Sequence, residues 1–62
     1  MKHWYIEHDR GCTVLKGGSE TEALNSMLDS VGRTEIRKIR EATEEDIDWF
    51  TAMGGKIHEV RG

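Results

Sequence analysis

Apolar and polar positions alternate at the start of the chain. In residues 2–8, KHWYIEH, aromatic and β-branched side chains fall on both faces of an extended segment, with Trp4 and Tyr5 on opposite sides. This alternation predicts a β-strand. Gly11 suits the tight turn that follows, and residues 12–16, CTVLK, predict a returning strand. The beginning of the chain therefore predicts a β-hairpin.

The next segment predicts an amphipathic helix. Ser19 followed by Glu22 has the spacing of a capping box, in which the two side chains satisfy free backbone amides at a helix N-terminus. The apolar residues that follow lie within an arc of about 140°. They are Ala23, Leu24, Met27, Leu28 and Val31. Ser30 falls on the polar side, and Gly32 is the expected residue just past the helix end.

Residues 34–41 admit two interpretations. Ile36 and Ile39 are three positions apart, a spacing that suits a helix, and one long helix over residues 34–53 can be drawn. That helix would place Asp46 in its apolar seam, where a buried carboxylate is costly. A third strand over residues 34–41, with a bulge, followed by a new helix is therefore preferred. The sequence alone leaves the choice between strand and longer helix open.

The new helix has its own start and stop signals. Thr43 is a suitable N-cap, and Asp46 stands three residues later among carboxylates that favour the first turn of a helix. Gly54 is the expected terminating residue. The apolar arc spans about 160°, with Trp49 at its rim. Residues 56–60, KIHEV, then predict a short fourth strand.

These elements predict a single small α+β domain over residues 1–62. The expected architecture is a two-layer sandwich, with a three- to four-stranded sheet, two helices on one face, and the order β-β-α-β-α-β. The predicted core consists of fourteen apolar side chains. They are Ile6, Val14, Leu15, Ala23, Leu24, Met27, Leu28, Val31, Ile36, Ile39, Ile47, Phe50, Met53 and Ile57.

Length and composition add a constraint on stability. The chain has 62 residues, of which 34% are charged and 35% hydrophobic, values of a globular chain. A domain of this size buries only about 60% of its unfolded surface, and small domains often gain stability from disulfides, metals or a second subunit. Cys12 is the single cysteine, so an intramolecular disulfide is excluded. That leaves a structural metal, self-association, or a lean but adequate monomer.

The sequence predicts neither a membrane span nor a secretory signal. No apolar run approaches the roughly 20 residues that a bilayer span needs, and the segment MKHWYIEHDR lacks the apolar core of a secretory signal. We therefore expect a cytoplasmic protein without membrane contact.

Charge is unevenly distributed around a net value of −3. The segment 33–40 contains four cations, which are Arg33, Arg37, Lys38 and Arg40. Together with Trp4 or Tyr5 on the first strand, they are candidates for contact with a nucleic acid. The segment 41–48 is strongly acidic, however, and the negative net charge argues against phosphate binding. A small nucleic-acid-binding regulatory protein that uses the basic segment 33–40 is therefore the second, less favoured interpretation of the function.

No pattern of reactive side chains predicts a catalytic, metal or cofactor site. His3, His8 and His58 do not stand in a metal-binding spacing with Cys12, and no Cys-x-x-Cys pair is present. Cys12 lacks a predicted orienting group for nucleophilic chemistry. The glycine pairs at 17–18 and 54–55 do not match a phosphate-binding motif. We expect no enzyme activity and no cofactor.

Exposed aromatic residues predict contact with a protein. Trp49 at the rim of its helix, Met53 beside it, and Trp4 or Tyr5 on the first strand are candidates for an interface, because tryptophan and tyrosine anchor many protein contacts. Packing of the Trp49 ring flat on its own domain is the alternative. The sequence thus favours a non-enzymatic interaction module that binds a protein partner, or a second copy of itself as a homodimer, through an open sheet edge or the Trp49 surface. It does not name the partner or the pathway.

Overall fold

The computed structural model describes residues 2–29 and 31–60. The elements follow the predicted order β-β-α-β-α-β, with one 3-10 turn before the third strand. The strands are β1 (Lys2–His8), β2 (Gly11–Gly17), β3 (Ile36–Glu41) and β4 (His58–Glu59). The helices are α1 (Glu20–Met27) and α2 (Glu44–Ala52), and the 3-10 turn covers Arg33–Glu35. The α+β class and the element order are confirmed.

The sheet is mixed and has four strands in the order β3-β1-β2-β4. β1 pairs antiparallel with both β2 and β3, while β4 runs parallel to β2. The hairpin between β1 and β2 closes at the pair His8 and Gly11. Gly11 has a φ of 130°, which a residue with a Cβ rarely adopts. β4 is shorter than the predicted segment 56–60, although the Val60 amide still donates to the Lys16 carbonyl at 2.7 Å.

Residues 36–41 form a bulged strand, so the longer helix is excluded. Glu7 pairs with Lys38 but His8 pairs with Ile36, which leaves Arg37 as the extra residue of a bulge. The bulge explains the helix-like spacing of the isoleucines. Side chains three apart point to opposite faces of a regular strand, whereas one extra residue returns Ile36 and Ile39 to the same apolar face.

α1 starts as predicted and ends earlier. The Ser19 hydroxyl accepts the Glu22 amide at 3.2 Å, while the Glu22 carboxylate accepts the amide of Gly18, one residue before the expected donor. The helix ends at Met27 with Leu28 as its C-cap, so the prediction that Gly32 terminates it was wrong. Gly32 instead precedes the 3-10 turn. Ser30, predicted on the polar side, lies outside the described residues.

α2 has the predicted boundaries. Thr43 is the N-cap and forms a full capping box with Asp46. At the other end the Gly54 amide donates to the Thr51 carbonyl and the Gly55 amide to the Phe50 carbonyl, both at 3.0 Å. Gly54 has a φ of 88°. This pair of hydrogen bonds, with a left-handed glycine, is a Schellman motif.

The two helices lie on opposite faces of the sheet, which differs from the expected two-layer arrangement. α1 packs on the face that carries Trp4, Ile6 and Leu15. α2 is tied to the other face, where Arg40 bonds to Asp46 and stacks on Tyr5. The reason is visible in β2, because Val14 and Leu15 are adjacent and both buried. Two consecutive apolar residues in a strand point to both faces, so both faces need a cover.

The main core lies under α1. The buried apolar side chains of the described residues are Trp4, Ile6, Val14, Leu15, Ala23, Met27 and Val31. Trp4 was not among the predicted core residues, and the predicted core residue Met53 is 70% exposed. Leu24 and Leu28 are only half-buried. Neither helix, in the part of the chain that the structure describes, is long and apolar enough to cross a bilayer.

Candidate functional site

A surface groove lies between α2 and the hairpin end of the sheet. Its volume is about 730 Å³, and it is formed on one side by Trp49, Phe50 and Met53 and on the other by Tyr5 and Cys12. Residues of the β1–β2 turn close one end. The groove is thus formed by α2 and by the strand pair β1 and β2 beneath it.

The apolar side chains of the groove are unusually accessible. Trp49 is 50% exposed and Met53 is 70% exposed, and they are the exposed large hydrophobic residues of the described part of the chain. They are four positions apart, so they stack one turn above the other on the flank of α2. A contiguous exposed apolar patch rimmed by polar residues is characteristic of a contact site.

Phe50 forms the inner wall of the groove, and Gly55 sets its position. A Cβ at Gly55 would lie 2.6 Å from two ring atoms of Phe50, closer than side-chain contacts allow. Gly55 therefore permits the chain to turn back directly over the Phe50 ring. The double glycine after α2 serves two purposes, since Gly54 supplies the left-handed residue and Gly55 supplies the space.

An ion pair fixes α2 to the sheet beside the groove. Arg40 donates from both terminal nitrogens to the Asp46 carboxylate, at 2.7 and 3.1 Å, and its guanidinium lies 4.3 Å from the centre of the Tyr5 ring. These hydrogen bonds from Arg40, followed by those from Thr43, hold the pKa of Asp46 well below its usual range. The same contact with Asp46 raises the pKa of Arg40. The helix start, the sheet and the Tyr5 ring therefore form one connected unit.

The Tyr5 hydroxyl and the Cys12 thiol are neighbours in the groove floor. Burial raises the pKa of Tyr5, and the adjacent Cys12 side chain adds to the effect. Cys12 is a free, half-buried thiol. The raised pKa of Tyr5 keeps its hydroxyl neutral near pH 7, so the floor presents an aromatic surface with a weak hydrogen-bonding edge.

The polar groups at the hairpin end of the groove bind one another. The Arg37 side chain donates to the Asp9 carboxylate, and the two atoms are 2.6 Å apart. Arg10 lies 3.9 Å from the Glu35 carboxylate at a highly exposed position. The cations beside the groove are therefore matched by nearby carboxylates of the same chain.

Three of the four predicted interface residues meet in this groove. Trp49, Met53 and Tyr5 line it, whereas Trp4 lies in the core under α1 and is only 9% exposed. The Trp4 indole donates to the Gly17 carbonyl at 3.2 Å. The expectation that Trp4 contributes to an exposed surface was therefore wrong, because its strand face is covered by a helix.

The four predicted nucleic-acid contacts do not form one free basic surface. Arg40 is bonded to Asp46 and Arg37 to Asp9. Lys38 stands directly opposite Glu7 in the sheet, and Arg33 lies apart in the 3-10 turn. Close to Arg40, the first turn of α2 contributes a cluster of carboxylates. Two of the four cations are thus paired within the chain. Arg33 and Lys38 make no ion pair among the described residues, and they stand in different elements rather than in one patch.

A second depression, lined by both polar and apolar side chains, lies on the α1 face. Its volume is about 560 Å³, and its lining includes His8, Thr13, Asp29 and His58. The His8 Nε2 atom lies 3.0 Å from the Thr13 hydroxyl, and the Arg10 amide donates to His8 Nδ1 at 3.3 Å. Both ring nitrogens thus have a partner within the hairpin. Within residues 2–29 and 31–60, no group of three or more potential ligand side chains is arranged to hold a metal ion.

Sequence reasoning missed Phe50 and Cys12 as parts of the groove. Phe50 was assigned to the core, and it does face the sheet, but the groove opens beside its ring. The available signal was the adjacency of Val14 and Leu15, which places a helix over the Cys12 side of the sheet.

Comparison of the chain with family models, curated proteins and solved structures gives no match.

Proposed function

We propose that this protein is a non-enzymatic interaction module that binds another polypeptide through the groove between α2 and the hairpin. The observation that carries the proposal is the placement of Trp49 and Met53, the exposed large apolar side chains of the described residues, along one groove. Tryptophan in a pocket or groove is a frequent centre of binding energy in protein interfaces. Tyr5 and Phe50 extend the same apolar surface inward.

The sheet edges are weaker candidates for the contact. β3 is an edge strand with a bulge at Arg37 and with Lys38 and Arg40 in its sequence. Bulges and charged side chains on an edge discourage pairing with another strand. β4, at the opposite edge, has only two residues. These features favour the groove over an edge as the contact surface.

The chemistry of the groove supports binding rather than catalysis. The charged groups at its end bond to each other, as the contact between Arg37 and Asp9 illustrates. The rest of the lining combines aromatic, thioether and thiol side chains, which provide contact area, with Glu7, His8 and two glycines. We also propose a cytoplasmic location, with which the free thiol of Cys12 is compatible, because reducing compartments keep thiols unpaired.

Selection of peptides from a random library tests this function. We expect wild-type protein to retain peptides whose affinity falls at least about tenfold in Trp49→Ser, since a central tryptophan contributes more than about 1 kcal/mol. Trp49→Phe should retain much of the binding. Glu20→Gln, an exposed change on α1, is the control and should have no effect.

Sedimentation of the same proteins from micromolar to millimolar concentration completes the test. A dimer that Trp49→Ser dissociates would identify a second copy as the occupant and would support the proposal. A wild-type monomer at all concentrations that also selects no peptide sensitive to Trp49 would overturn it.

A further inference from the structure

We propose that the partner segment is a basic amphipathic peptide, in which apolar residues contact Trp49 and Met53 and flanking lysine or arginine residues face the exposed carboxylates of α2. This inference rests on the proposed function, and it adds the chemical class of the partner.

The charge of α2 is entirely negative. The helix contains Glu44, Glu45, Asp46 and Asp48 and no lysine or arginine between its first and last residues. Asp46 is neutralised by Arg40 at 2.7 Å. The other three carboxylates are exposed, and none of them takes part in an ion pair among the described residues. The helix therefore presents about three uncompensated negative charges to solvent near neutral pH.

These charges stand in register with the apolar patch. Glu45, Trp49 and Met53 are spaced by four residues, so they form one stripe along the flank of α2. Asp48 adjoins this stripe next to Trp49. A ligand that follows the stripe meets a carboxylate at its start and two apolar side chains after it, which is the complement of a cation followed by an apolar anchor.

The neighbouring cations do not cancel this field. Arg37 is bonded to Asp9, and Arg10 lies near Glu35. Lys56 and the exposed carboxylates of α2 all lie outside the groove lining, so these carboxylates act beside the groove rather than within it. The surface around Trp49 therefore combines an apolar centre with an acidic side, and a basic partner gains attraction from both.

A second copy of the chain is a poorer match. Each copy has a net charge of −3. Contact through α2 on both copies would gather the exposed Glu44, Glu45 and Asp48 of each into one region, and like charges across an interface oppose association. The charge pattern thus favours a basic segment of another protein over self-association.

Three synthetic peptides with the same leucine pattern, carrying lysine, glutamine or glutamate at their polar positions, test the inference by fluorescence anisotropy. We expect the lysine peptide to bind about tenfold tighter than the glutamine peptide and the glutamate peptide to bind weakest. The preference should decrease severalfold between about 20 mM and 300 mM salt, because exposed charges are screened.

Variants separate the charge from the apolar anchor. Glu45→Gln with Asp48→Asn should reduce the preference for the lysine peptide and leave the glutamine peptide's affinity unchanged. Trp49→Ser should weaken both peptides. Glu20→Gln with Asp29→Asn removes equal charge from exposed positions on the α1 side of the sheet and is the control, which should leave the preference unchanged.

The outcomes distinguish this inference from the proposed function. If the three peptides bind equally, or if library-selected peptides that depend on Trp49 are not basic, the inference is overturned and the interaction function stands. A dimer that depends on Trp49 and excludes the lysine peptide would also overturn it. Absence of any Trp49-dependent peptide or dimer would remove both.

Discussion

α1 and α2 lie on opposite faces of one sheet, and they are attached in different ways. α1 buries Ala23 and Met27 against Trp4, Ile6 and Leu15, so apolar packing holds it. None of the nine residues of α2, all of which the structure describes, is buried. It is attached through the half-buried Ile47 and Phe50, the bidentate pair between Arg40 and Asp46, and the contact of Arg40 with Tyr5.

The two tryptophans illustrate the difference. Trp4 is enclosed under α1, where its indole has a backbone acceptor, while half of the Trp49 surface faces solvent. The same residue type thus serves packing on one face and remains available on the other. This contrast teaches that the α1 face carries most of the buried core, while the exposed apolar side chains of the proposed contact lie on the α2 face.

Removing a methyl-rich side chain from the α1 face should have the largest effect. Ile6 is fully buried, so Ile6→Ala should lower the free energy of unfolding by about 2–5 kcal/mol. A chain of this size has little more than that in total, so Ile6→Val, with an expected loss of about 0.5–1.5 kcal/mol, provides a folded variant. Urea denaturation measures both.

Ile47→Ala is the matched change on α2. Ile47 is only half-buried, so its loss should be smaller than that of Ile6→Ala. An equal or larger loss at Ile47 would contradict the unequal roles of the two faces.

The end of α2 gives the next effect in size. Gly54 has a φ of 88°, and Gly54→Ala should cost about 1–2 kcal/mol because a Cβ is strained in the left-handed region. Gly32 has a φ of −70°, and a Cβ there would meet its nearest atom at 3.6 Å. Gly32→Ala should therefore leave stability unchanged or raise it by up to about 1 kcal/mol. Thermal unfolding of the two variants should shift in opposite directions or, at least, by clearly different amounts.

Acid should weaken the attachment of α2 selectively. The pKa of Asp46 is depressed in the folded chain, mainly by Arg40, so its stabilising effect is complete above the ordinary aspartate pKa of about 3.9 and declines as pH falls below it. Asp46→Asn should therefore be less stable than wild type at pH 7, and the difference should shrink towards pH 2.

The expected loss at Asp46 is smaller than at Ile6, because Arg40 is 38% exposed and water screens the pair. Asp48→Asn, an exposed carboxylate of the same helix, is the control and should follow the wild-type pH profile more closely. A difference between wild type and Asp46→Asn that stays constant from pH 7 to pH 2 would exclude the ion pair as the anchor of α2.

The smallest effect on stability is expected at the exposed patch. Trp49→Ser and Met53→Ser should each change the free energy of unfolding by no more than about 0.5 kcal/mol, since surface substitutions away from buried contacts are usually that mild. Urea denaturation checks this expectation. A decrease of about 2 kcal/mol in the free energy of unfolding would mean that these side chains support the fold.

Local signals predicted most of the fold. The capping residues Ser19 and Thr43 and the terminating Gly54 lie at the helix ends that the sequence predicted for them. Such signals depend on neighbours within one helical turn, so they can be read directly from the sequence. The early end of α1 was missed because it depends on a contact beyond the helix itself. Val31, which follows the helix in the chain, packs in the core.

Nonlocal features were harder to predict. The spacing of Ile36 and Ile39 resembles a helix until the bulge opposite Glu7 and His8 is known. The side of the sheet that α2 covers determines whether Trp4 or Tyr5 is near the groove, and no local rule gives that choice. The candidate site was therefore predicted as a set of residue types, of which the fold brought Trp49, Met53 and Tyr5 together.

The two indole N–H signals of the ¹⁵N-labelled protein give the most direct test of the central claim that recognition occurs on the α2 face. Trp49 lies at the groove and Trp4 in the core on the other side of the sheet, so one spectrum contains both the probe and its control. On addition of the lysine peptide, we predict that the Trp49 signal shifts in proportion to saturation while the Trp4 signal stays in place. A saturating peptide that shifts Trp4 and leaves Trp49 unchanged would contradict the claim.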